Sequence, residues 1–221
     1  MTKKHQLKEL PESVVCPQTE RAQRFLEGAF DCVQNVLGLV TGGQLTNSDS
    51  DLYRAAIVFA GAGLDSSMKQ TVRDALPFLL EKNELACKKF EEFTTSYLQD
   101  TSGQVRARNL AKTLSAPDSR THLVESYQYS LTSDSLQSVE QLELVVGALG
   151  VNDRTIRTDL KNLNAAFKAR NQIVHELDLQ HTEKQGDRSR RRRSSSSTST
   201  AYELLTTSQS IINYVAAELC A

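Results

Sequence analysis

Apolar residues recur at intervals of three and four along most of this chain, and that spacing predicts helices. Ala22, Phe25, Leu26, Ala29, Phe30, Val33, Val36, Leu37 and Val40 mark a first helix over 18–40, ended by Thr41-Gly42-Gly43. Asn47-Ser48-Asp49 offers a cap for a second helix over 51–76, which is expected to stop before Pro77. A third covers 81–98 and gives way to a polar connector around Ser102-Gly103, Arg106 and Arg108. Ala116-Pro117-Asp118 opens further helical material, and Leu136, Val139, Leu142, Val145, Val146 and Leu149 form an amphipathic helix ended by Gly150 and Asn152. Another helix over 154–179 follows. The last covers 200–220, with Leu204, Leu205, Ile211, Ile212, Val215 and Leu219 facing inward. The reading is an all-α bundle of about five main helices occupying 17–221, preceded by a polar lead-in, 1–16, that is expected to be loosely held.

The helix over 154–179 carries the least ordinary pattern. On an ideal helix Leu163, Ala166, Phe167, Ile173, Val174 and Leu177 fall within an arc of about 140° around Arg170. A guanidinium therefore stands in the middle of an apolar stripe, with Asn171 and His175 stacked one turn apart along its edge. Burying an unpartnered Arg costs several kcal/mol. Either an acid inside the fold meets it, or the stripe is an interface where an anion binds. In the second helix Asp65 lies within about 20° of Val58, Val72 and Leu76, so an acid also interrupts an apolar face. Asp65, with Lys69 one turn on, is the internal candidate to pair with Arg170 or orient His175. Gly61-Ala62-Gly63, inside the same helix, points to close helix packing and lacks the Lys-Ser/Thr of a phosphate loop.

Composition narrows the functional classes. The chain has 221 residues, 39% hydrophobic and only 6% aromatic, which suits one helical domain with a core of Leu, Val, Ile and Ala. A net charge of −1 excludes a uniformly basic nucleic-acid binder, so any RNA contact must use local patches. One patch is evident: Arg190, Arg191, Arg192 and Arg193, followed by four serines, in a low-complexity stretch over 180–200 that is expected to be a mobile loop. Those arginines are read as a solvated linker, or else as contacts to an RNA backbone. His122 and His181 read as surface or loop histidines. Cys16, Cys32, Cys87 and Cys220 show no CxxC pairing and no histidines at ligand spacing, so reduced thiols, no metal and no cofactor are expected. With no apolar run of membrane length and no signal-like start, a cytoplasmic protein without membrane contact is expected.

Arg170, Asn171 and His175 together suit cleavage of RNA, which carries its own nucleophile in the 2'-hydroxyl. The reaction needs that proton removed, the 5'-oxygen protonated and the phosphorane charge opposed. An imidazole with an ordinary pKa near 6.5 exchanges protons near neutrality. A guanidinium holds phosphate through paired charged hydrogen bonds, and Asn171 can orient the imidazole or bond the ribose. The string Leu163-x3-Phe167-x2-Arg170-Asn171-x2-Val174-His175-Glu176-Leu177, on the penultimate helix of a short helical chain, resembles the signature of the HEPN family, Arg-x4-6-His with Asn often directly after the Arg. The likeness is to bacterial HEPN ribonucleases of RNA-processing and defence gene clusters. It implies a metal-independent endoribonuclease that acts as a toxin or antiphage effector, works as a homodimer with a composite site, and answers to an antitoxin or defence-system partner. A non-catalytic HEPN module that binds a nucleotide, RNA or a partner protein is the alternative, and a dimerising scaffold a third reading. Toxins of this class often carry a modifiable Tyr two residues after the His. Here that position is Leu177, so the resemblance does not extend to that form of control.

Overall fold

The computed structural model describes residues 7–41, 45–99, 103–136, 138–178 and 191–220. Every regular element among them is a helix: α1 (Glu20–Gly38), α2 (Asn47–Lys82), α3 (Glu84–Gln99), α4 (Gly103–Ser115), α5 (Ser119–Thr132), α6 (Val139–Ala148), α7 (Arg154–Asn162), α8 (Asn164–Glu176) and α9 (Ser196–Cys220). None is long and apolar enough to cross a membrane.

The longest helix, α2, is the spine, and at 36 residues it runs about 54 Å. Helices α1 and α9 pack along it, α8 lies against its N-terminal half, and α3 and α5 gather at its far end. Small residues permit the closest approach. A Cβ on Gly63 would come within 2.3 Å of the Ala29 Cβ on α1, so that crossing tolerates only glycine without a shift of backbone. The core between these helices is built from Leu26, Leu37, Leu64, Met68, Leu76, Leu79, Leu204 and Ile211, all fully buried.

The start of α2 is a capping box one residue earlier than the sequence suggests. Thr46 accepts the Asp49 amide, and the Asp49 carboxylate accepts the Thr46 amide at 3.0 Å. That carboxylate also takes the Thr41 amide at 2.9 Å, which ties the end of the α1–α2 connection to the spine. The Thr46 hydroxyl and amide, with the Thr41 amide, outweigh burial and hold the Asp49 carboxyl well below the ordinary range. The folded state thus binds this proton less readily than the unfolded chain. Its contribution is full above the unfolded carboxylate value near 4 and is lost as pH falls. Asp49→Asn is expected to lower Tm at pH 7 and to reduce the difference between Tm at pH 7 and at pH 3, measured by thermal scans.

Contrary to the expected stop, α2 continues through Pro77. Proline has no N–H to give the carbonyl four residues back, which is that of Arg73. The Gln128 side chain on α5 supplies the missing donor, giving its amide to Arg73 O at 2.9 Å and to Val72 O at 3.1 Å. Gln128→Ala is therefore expected to cost about 1–2 kcal/mol in denaturant unfolding. In a Pro77→Ala background the same change should cost much less, because residue 77 then provides its own donor.

Three further departures have local causes. The polar stretch expected to be a connector around Ser102-Gly103, Arg106 and Arg108 is helical as α4 from Gly103, yet its residues 107–115 bury little beyond Thr113, with Leu110 and Leu114 exposed. Its helix-favouring Ala, Arg, Leu and Lys residues gave no periodic signal because there is almost no inward face. The single helix expected over 154–179 is divided into α7 and α8 at Leu163, whose side chain is buried between two exposed asparagines of low helix propensity. His122, expected at the surface, is half-buried with its Nε2 enclosed and unpaired. As anticipated, α6 ends at Gly150, which has φ +70 and whose place is taken so closely by Asn83 that a Cβ would meet its Oδ1 at 2.2 Å. Residues 7–16 have no regular structure, but Leu7 pairs with the Gln34 side chain and Asn213 and Tyr202 bond the carbonyls of Glu12 and Glu9, strapping the segment across α1 and α9.

Candidate functional site

Arg170 lies on α8, the helix before α9, at the point where the apolar stripe changes character. Leu163, Ala166 and Phe167, on its N-terminal side, are buried in the core. On the other side Ile173 is half-buried, and Val174 and Leu177 are 42% and 63% exposed. The guanidinium thus sits at the boundary between core and open apolar surface. Its stem lies across α2, and that crossing depends on a missing side chain. A Cβ on Gly61 would come within 3.3 Å of Arg170 Cγ. The close packing expected of Gly61-Ala62-Gly63 is thereby resolved into two contacts, Gly63 with α1 and Gly61 with the motif arginine.

Within the motif, Arg170 Nη1 donates to Asn171 Oδ1 at 3.1 Å, so the carboxamide steadies the guanidinium. His175 is exposed on the last turn of α8. Among the described residues no carboxylate forms an ion pair with Arg170. Of the two possibilities for an arginine in an apolar stripe, the internal acid is not observed among the described residues.

Asp65 does not take that part. It stands one turn along α2 from Gly61, but Oδ2 is 3.0 Å from Lys69 Nζ and Oδ1 accepts the Leu136 amide at 2.7 Å. The reason is topological. The connection from α5 to α6 passes over α2 there, and its amide at Leu136, a buried residue, needs an acceptor. Lys69 is accordingly the partner of Asp65.

The arginine run is also corrected. Arg190 lies outside the described residues, and Arg192 is exposed. Arg191 and Arg193 instead turn inward to Asp178, which is fully buried. Arg193 grips it with two bonds, Nε to Oδ2 at 2.8 Å and Nη2 to Oδ1 at 2.7 Å. From α2, Arg54 Nε reaches Oδ2 at 3.1 Å, while its Nη1 bonds Asp51 at 2.7 Å. Arg191 Nη1 stands 3.8 Å from Oδ1, and its backbone amide donates to the Asp178 carbonyl at 2.8 Å. A buried carboxylate at 178 requires counter-charges, and the run supplies two of them. Burial pushes the Asp178 carboxyl up, but the hydrogen bonds and charges of Arg193 and Arg54 prevail and leave it below the ordinary value. The signal was present in the sequence as charges of opposite sign in apolar company, Arg54 between Tyr53 and Ala56-Ile57 and Asp178 between two leucines.

Leu177 and Asp178, which close α8, are both left-handed, with φ 51 and 57. A non-glycine residue in this region costs roughly 1–2 kcal/mol, so two in succession mark a strained helix end two residues after His175. Among the described residues, five surface clefts of about 330 to 1050 Å³ are lined by residues other than Arg170, Asn171 and His175. Among the described residues no group of three or more His, Cys, Asp or Glu is placed to hold a metal ion.

The chain matches no protein-family model, no curated protein and no solved structure.

Proposed function

We propose that the chain is a metal-independent endoribonuclease of HEPN type, in which His175 exchanges protons with the 2'-hydroxyl and the leaving oxygen and Arg170 holds the phosphate. The observation that carries this reading is Arg170 itself: seated on Gly61, steadied by Asn171, without an acidic partner among the described residues, and bordered by exposed apolar surface. A guanidinium with no acidic partner among the described residues favours an anion in that position, and a phosphodiester offers the oxygen pair that its donor fork matches. The exposed Val174 and Leu177 suit a two-fold interface that brings a second His175 and a second Arg170 into one cleft. Such a homodimer supplies both the acid and the base that one imidazole cannot be at once. The biological reading that accompanies this chemistry is a cytoplasmic toxin or antiphage effector restrained by a partner protein.

The test is cleavage of RNA by purified protein in EDTA, comparing wild type with His175→Ala and Arg170→Ala and examining products for 2',3'-cyclic phosphate ends. Cleavage that survives EDTA and disappears in both variants supports the nuclease. The seating of the Arg170 stem on Gly61 and its bond to Asn171 also suit a second reading, a module that grips a phosphate without cutting. RNA binding without cleavage, lost in Arg170→Ala and kept in His175→Ala, would select that reading.

A further inference from the structure

We infer that Asp178 is a positioning residue for the reaction proposed above: gripped by Arg54 of α2 and by Arg193 ahead of α9, it fixes the last turn of α8 and with it the place of His175 relative to Arg170. The inference rests on the nuclease reading and extends it to a residue outside the motif.

The end of α8 is not closed as an ordinary helix end. The amides of Leu177 and Asp178 both reach back to the carbonyl of Gln172, which makes a wide final turn around His175. Glycine would adopt the left-handed backbone found there without steric cost, yet neither residue is glycine. Burial does not hold Leu177 in place, since it is 63% exposed. The Asp178 carboxylate does, through its bonds to Arg193 and Arg54. Gln172 is caught by the same arginine, its Oε1 lying 3.4 Å from Arg193 Nη2. His175 therefore stands between two residues that Arg193 holds.

Helix α2 seats both ends of the motif. Gly61 receives Arg170, and Arg54, about two turns earlier on the same side of α2, receives Asp178. The two helices run in opposite senses, so the separation of guanidinium and imidazole is referred to one rigid rod. A buried ionic cluster is a poor means of stabilising a fold, because desolvation offsets most of the attraction and apolar replacements often serve as well. What a two-bond grip adds is fixed distance and angle. Proton exchange with a ribose hydroxyl and a leaving oxygen demands both.

The experiment uses the full chain with two variants. Asp178→Asn keeps the shape of the side chain and removes its charge, and Arg193→Lys keeps a cation but loses the fork. Cleavage kinetics in EDTA, thermal unfolding and the NMR signals of the His175 imidazole, identified by their loss in His175→Ala, are measured together. The expected result is cooperative unfolding, a kcat lower by roughly tenfold or more with KM changed less than about threefold, and shifted His175 signals. A folded variant whose His175 signals stay in place overturns the inference whatever its rate, and so does an unchanged kcat, or a loss of rate matched by the loss of folded protein. If Asp178→Asn does not fold, Arg193→Lys decides by the same criteria. If wild type cleaves no RNA, the nuclease reading fails separately, and the His175 signals alone then uphold or overturn the placement of the imidazole by Asp178.

Discussion

His175→Ala is expected to lower RNA cleavage by roughly a hundredfold or more, the ordinary contribution of a positioned proton donor or acceptor, while leaving RNA affinity nearly unchanged. Arg170→Ala is expected to lower cleavage by a similar factor and also to weaken binding and reduce its salt dependence, because one phosphate contact is lost. Arg170→Lys should recover binding better than rate. It restores the charge but not the paired donors, and it loses the bond to Asn171 Oδ1 in its present form. Mixing wild type with an excess of His175→Ala is a sharper test of the two-fold arrangement. A mixed dimer keeps both arginines but only one histidine in the shared cleft, so it lacks either the acid or the base, and activity should fall below the share of wild-type chains. Activity that stays in proportion to the wild-type chains, with exchange of subunits verified, would place the whole reaction within one chain.

The largest effect on stability is expected from Asp178→Ala. Removing one member of a buried ionic set leaves the others uncompensated, at a cost of about 3–5 kcal/mol, or on the order of 10 °C in Tm for a domain of this size. Among the described residues, the guanidiniums of Arg54 and Arg193 would then be left with Asp51, the Gln172 side chain and the Arg191 carbonyl. Replacing all three charges together with apolar residues of similar volume should restore most of the loss. The pH dependence has a definite sign. Burial raises the Asp178 carboxyl, Arg193 and Arg54 lower it further than burial raises it, and the folded value ends below the unfolded one. Its stabilising part is therefore complete above pH ~4, the unfolded carboxylate value, and is lost as pH falls through the folded value. Calorimetry between pH 7 and pH 2 should show a shallower acid limb in Asp178→Ala than in wild type.

Most helices were legible because their apolar residues recur with the helical period and meet a continuous core. That holds for α1, where Ala22, Leu26, Val33 and Leu37 are buried, and for α9, where Leu204, Leu205, Ile211 and Ile212 are. Helix α4 was not legible because period signals burial, and α4 buries almost nothing. The passage of α2 through Pro77 depends on Gln128, which lies 55 positions from the Arg73 carbonyl it serves, so no local rule could anticipate it. At the candidate site the place of Arg170 in the middle of an apolar stripe was readable from residues 163–177 alone, whereas the change of that stripe from core to exposed surface at Arg170 was not. The partners were not. Asp65 is drawn to Leu136 by the crossing of a connection, and a run of arginines that resembles a solvated linker supplies the counter-charges of a buried acid. Pairings between distant segments are set by three-dimensional closeness, which hydrophobic period does not encode.

The two seats that α2 offers, Arg54 and Gly61, carry a consequence for how such a chain can change over time. Substitutions elsewhere along the rod alter packing by degrees. A single residue inserted or deleted between positions 54 and 61 would instead turn one seat about 100° around the helix axis relative to the other. Arg54 would leave Asp178, or Gly61 would leave Arg170. The interval is therefore protected against changes of length even where the identities of the residues within it are open to variation.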